Sequence, residues 1–128
     1  MAEGMAAGQA NTALEAIRGD SPYIQLHTGA PGAAGTANKC TDVTRKAVTF
    51  AAASGGAMST SADIDWTSIT ATGTEDATHF SLWRGTGADT DGTGTFCWSG
   101  TLTANPFVTG DNIHIAAGDI TLTIGVAS

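Results

Sequence analysis

The feature that most constrains this chain is a change of hydrophobic period: beyond residue 20, apolar side chains recur at every second position in short runs. Ile24 and Leu26 alternate with Tyr23, Gln25 and His27; Val48 and Phe50 with Ala47 and Thr49; Ile64 and Trp66 with Asp63 and Asp65. The same alternation places Phe80 with Leu82, Phe96 with Trp98, Ile113 with Ile115, and Ile120 with Leu122 and Ile124. Period two sends neighbouring side chains to opposite faces of an extended chain, so each run reads as a half-buried strand. Turn-forming clusters at 29–38, 54–56, 72–77, 85–94, 105–106 and 116–119 separate the runs. About seven such strands predict an all-β fold, an antiparallel β-sandwich of the jelly-roll or immunoglobulin-like kind. The clearest local feature is a hairpin joining 112–116 to 119–124 through Ala117-Gly118, with Gly supplying the positive φ of the turn.

Composition agrees. At 128 residues there is room for one core. Charged residues make up only 13%, and hydroxyls and 17 Gly carry the polar load instead. β-branched Thr suits pleated strands and Gly suits turns. The spaced aliphatic and aromatic residues separate this composition from that of a disordered chain.

The N-terminus follows another rule. Residues 1–11 are rich in Ala, Gly and Met and read as a flexible arm. Thr12 and Glu15 then match a capping box, Ala10, Ala13, Leu14 and Ile17 share a helical face, and Arg18-Gly19 is a stop signal. Residues 1–20 are therefore expected to form an arm and short helix, and 21–128 the sandwich. A helix this short must dock on its own sandwich or on a neighbour. Met5, Leu14 and Ile17 have no place in the strand pattern and are the candidate partner-interface residues.

Charge and chemistry narrow the function. The net charge is −7, and the five basic residues are scattered apart from Arg45-Lys46, which argues against nucleic acid as a partner. No apolar run is long enough to span a membrane and no signal core opens the chain, so synthesis and assembly in the cytoplasm are expected. Cys40 and Cys97 belong to no CxxC or Cys/His cluster and read as free thiols. His27, His79 and His114 fall in separate strands, each an outward residue, and no nucleophile elbow or phosphate loop is present. Asp89-Thr90-Asp91-Gly92 alternates carboxylates before a Gly but lacks the remaining ligands of a Ca²⁺ loop, and reads as a solvated turn. Asp63 and Asp65 read as a solvated strand face. No catalytic, cofactor-binding or metal residue is assigned, and no cofactor is expected.

The segments Tyr23 to Thr36 (YIQLHTGAPGAAGT), Arg45 to Phe50 (RKAVTF), His79 to Trp83 (HFSLW) and Ala117 to Ile120 (AGDI) resemble a family of small virion proteins from tailed phages of actinobacteria. The resemblance runs from about Tyr23 to Ile124 and implies a β-sandwich without catalysis. Members carry head-decoration, minor-tail or tail-fibre labels. The leading expectation is a capsid decoration protein, a trimer on the outer surface of the head that binds the major capsid protein and stabilises the shell. This follows from economy, since the chain shows no shaft, coiled coil or receptor domain. The alternatives are a minor tail or tail-fibre component, and a carbohydrate-binding module using Trp66, Trp83 and Trp98 as a stacking platform.

Overall fold

A computed structural model describes residues 3–127. It contains one helix, α1 (Ala7–Arg18), and ten short strands: β1 (Tyr23–His27), β2 (Lys46–Ala47), β3 (Ala57–Ser59), β4 (Ile64–Trp66), β5 (Glu75–Asp76), β6 (His79–Arg84), β7 (Thr95–Thr101), β8 (Pro106–Phe107), β9 (Ile113–Ile115) and β10 (Thr121–Thr123). The all-β expectation holds, and every strand pairing is antiparallel. Four strands form one sheet in the order β2-β1-β6-β7, and the rest pair as β3 with β10, β4 with β9, and β5 with β8.

The alternation places the core as the pattern predicts except in β7. There a bulge shifts the register so that Phe96 lies opposite Trp83, its ring 5.2 Å away, on the other face from Trp98. Ile24 and Leu26 of β1 lie opposite Leu82 and Phe80 of β6. With Ile64, Trp66, Ile113, Ile115, Met58 and Leu122 from the two-stranded ribbons they form one buried apolar cluster. The segment after β2 turns the corner between layers. The Val48 amide donates to the Pro22 carbonyl at 3.0 Å, and the Ala51 amide to the Ser59 carbonyl at 2.9 Å. The hydrogen-bonded wall therefore runs β7-β6-β1-β2 and on through residues 48–51 to β3 and β10.

The predicted hairpin is corrected. Its turn forms, with Gly118 at φ 88° and the Asp119 amide bonded to the Ala116 carbonyl. Its arms do not pair with each other: β9 pairs with β4, and β10 with β3. The turn is held from outside, because the Gly118 amide reaches the Thr60 carbonyl at 2.8 Å and the Thr60 amide reaches the Ile120 carbonyl at 3.0 Å.

The N-terminal reading is also corrected. Helix α1 starts at Ala7 with no side-chain cap, and Thr12 lies inside it with its hydroxyl bonded to the Gly8 carbonyl. Three polar side chains on α1 fasten it to the 50–56 segment: Asn11 accepts from the Gly56 amide, Glu15 accepts from the Ala53 amide, and Arg18 donates to the Phe50 carbonyl. Residues 3–11 are no loose arm either. Met5 makes a parallel bridge with Val126, and a Cβ on Gly4 would stand 2.9 Å from the Gly125 carbonyl oxygen. Met1 and Ala2, also assigned to the arm, lie outside the described residues.

Candidate functional site

Of the three candidate interface residues, two are committed elsewhere. Leu14 is fully buried and Ile17 nearly so, both inside the chain's own core. The helical face that had no place in the strand pattern covers β3 and the 48–53 segment. Met5 keeps 41% exposure and is the one of the three that remains at the surface.

The outer face of the four-stranded sheet holds a polar layer that alternation did not reveal. Loops 28–45 and 85–94 fold over this face and bury Gln25, His27, Arg45, Ser81 and Trp83. Arg45 donates through Nε to the Gln25 side-chain oxygen at 2.9 Å, and through one Nη to the Ala88 and Thr93 carbonyls at 2.9 and 2.8 Å. Its guanidinium stacks 4.2 Å from the Trp83 ring centroid, and its other Nη has no partner. Burial pulls the Arg45 pKa down, while Asp91 and Asp89 oppose this. Gln25 and Lys39 both bond to Asp91, Lys39 at 2.8 Å. Burial pushes the Asp91 carboxyl up, but the bonds from Lys39 and Gln25 and the charges of Lys39 and Arg45 outweigh it. Asp91 is therefore a tether between loops, which corrects the solvated-turn reading, and Asp89 stays exposed.

His27 is fully buried instead of outward, a second correction. Its Nδ1 lies 2.8 Å from the Ala37 carbonyl, which can only accept, so Nδ1 carries the proton and Nε2 accepts from the Ser81 hydroxyl at 2.7 Å. The Ser81 oxygen in turn accepts from Trp83 Nε1 at 2.8 Å. A Ser–His pair can in principle activate a nucleophile, but both residues are 0% exposed and no carboxylate orients the ring. This chain of bonds satisfies buried polar atoms and ties the 28–40 loop to the sheet. Burial lowers the His27 pKa, with the Lys39 and His79 charges adding to it and the Ala37 bond and Asp91 opposing.

The open face is different. A cleft of about 510 Å³ runs along Ala77, residues 101–105, Ile113 to Ile115, and Asp119. A second of about 400 Å³ continues it past Phe80, Trp98, Gly100, Thr101 and residues 119–121. Together they form a trench between β7 and the β9–β10 turn. Asp119 lines both parts, and His114 lines the first. His114 Nδ1 lies 2.6 Å from Asp65, whose bond and charge raise the His114 pKa, with Asp63 and Asp119 adding to the rise. The Asp63 and Asp65 face is therefore exposed, as expected, but Asp65 is paired across strands. Among the described residues no group of three His, Cys, Asp or Glu could hold a metal ion.

The tryptophans make no common platform. Trp66 is 2% exposed with its indole N–H on the Thr44 carbonyl, Trp83 is buried under Arg45, and Trp98 alone reaches the trench, half-buried. Cys40 is buried and Cys97 partly so, both free. Burial pushes their thiols up to about 12 and about 11, so neither is a ready nucleophile.

The model of the family described as podophage GP4 fiber I protein gp80 matches residues 6–123. The chain belongs to this family. No match is found among curated proteins. Membership of the GP4 fiber I family makes the chain a phage virion structural protein. The matched region begins in front of α1 and ends at β10, so the helix lies within the family's extent and not, as the resemblance suggested, outside it. No described helix is long and apolar enough to cross a membrane.

Proposed function

We propose that this protein is a structural subunit of a phage fibre, assembled through protein contacts and without chemistry of its own. The observation that carries this reading is the family match across residues 6–123, whose description names a fibre. It favours the tail-side alternative over the head-decoration role that sequence economy suggested. A buried polar layer closed to substrate and two protonated thiols accord with a scaffold. Immunogold labelling of intact virions with an antibody against the folded domain tests the assignment. Label on fibres or the tail is the expected result. Label spread over the head, together with heads that become heat-fragile when the protein is missing, would restore the decoration role and its capsid partner.

A further inference from the structure

The wall of the fold is closed on one side and open on the other. Corner bonds at residues 48–51 join the four-stranded sheet to β3 and β10, but no backbone hydrogen bond joins β10 to β7 among the described residues. The trench occupies that gap. The Leu102 amide bonds to Thr78 on the β6 side, so by alternation Ser99 and Thr101 turn their backbone groups toward the gap. Across it, Thr60 bonds to Ile120, and the Ile124 amide to Gly56, on the β3 side, which leaves Thr121 and Thr123 facing outward. The outer edge of the β10 extension is already bridged further on, where the single residue Met5 bonds to Gly125 and Ala127.

The edge lacks two of the usual defences, charge and proline, although a bulge at Cys97 interrupts its pairing with β6. Strand β7 is seven residues long (TFCWSGT) with no charge and no proline, whereas β2, at the other edge of the sheet, is two residues long and carries Lys46. Such an uncharged edge is a template for pairing. Gly100 has no side chain to intrude, and half-buried Trp98 offers an apolar seat.

We propose that the β7–β10 trench accepts an extended, basic segment of another virion protein, which adds as a strand to β7. This does not depend on whether the protein sits on a fibre or on the head. The charge of the occupant follows from Asp119, which lines both parts of the trench, and from Asp65, bonded to the lining residue His114, in a chain of net charge −7. A second copy is a poor match: its net charge is −7, and of its five basic residues Arg18, Lys39 and Arg84 are paired with Glu15, Asp91 and Asp20 and Arg45 is buried, which leaves Lys46 alone.

Two capped peptides of alternating Thr and Val test this by NMR titration of the full chain, one with Lys at both ends and one with Glu. The Lys peptide should bind saturably, slow hydrogen exchange at the Ser99 and Thr101 amides, and bind about three- to tenfold tighter than the Glu peptide. Asp119→Asn should narrow that difference. Ser99→Pro, which removes an outward donor without a bond to β6, should weaken both peptides while the melting temperature shows the domain folded. Equal binding of the two peptides, or binding without protection at Ser99 and Thr101, would overturn the proposal. So would absence of binding, or self-association of the chain that protects the same amides.

Discussion

At the scale of single residues, burial on the sheet's second face sets the most distinctive chemistry. Arg45 is held by three acceptors and an indole ring, a planar arrangement that an ammonium cannot copy. Arg45→Ala strands the Gln25 oxygen and removes a positive charge from near Asp91, so it should cost about 3 to 5 kcal/mol in chemical denaturation. Arg45→Lys should recover only part of that. The histidines should separate by pH. His27 has its pKa lowered from 6.5, so below that value the unfolded chain takes up a proton that the folded chain refuses, and stability falls as pH falls. Asp91, lowered from 3.8, adds a second loss in the same direction in more acid solution. His114 is raised, so its contribution is present below 6.5 and fades as pH rises through its folded value; its exposure keeps that contribution small. NMR titration of the imidazole signals should find His114 protonating at higher pH than His27, and the reverse order would refute the buried hydrogen-bond scheme. Alternation did assign His27 to the face away from the apolar core, and that is where it lies. A loop folded back over that face buries it, and no local pattern announces such a cover.

At the scale of elements, α1 was recognisable from its face and its stop, while its start was misplaced. Thr12 and Glu15 have the spacing of a capping box, yet both side chains bond elsewhere, Glu15 to Ala53 across the fold. Tertiary partners took the groups that a local cap would have used. Leu14→Ala should therefore cost about 2 to 5 kcal/mol of the isolated domain's stability, as a core truncation does. Ala13→Ser on the exposed side should change it by less than about 0.5 kcal/mol. Equal small effects in urea melts would mean that the helix docks on a partner after all. The strand after Ser54-Gly55-Gly56 was missed because Met58 is the one buried position in a three-residue strand, too short to show a period. Gly56 has φ 80°, and a Cβ there would stand 2.9 Å from the Ile124 carbonyl oxygen, so Gly56→Ala should cost more than about 1 kcal/mol. The same melts check it.

At the scale of the whole molecule, both thiols stay protonated and sheltered at neutral pH. Iodoacetamide at pH 8 should leave Cys40 and Cys97 largely unmodified in the folded chain and alkylate both after denaturation, as read by mass spectrometry. Rapid native labelling of Cys40 would contradict the core that surrounds it. The sequence by itself determined the strand class, the inward set from Ile24 through Leu122, and the lack of any conventional catalytic motif. These rest on local periodicity, which two-residue geometry transmits without reference to distant segments. Only the tertiary structure decided that the β9 and β10 arms part company, that α1 joins the core, that Arg45 is buried beside the half-buried Asp91, and that β7 faces an open trench. Each of these depends on which distant backbone group reaches a hydrogen-bond partner first, as Thr60 does at Gly118 and Ile120, and spacing along the chain carries no record of that competition.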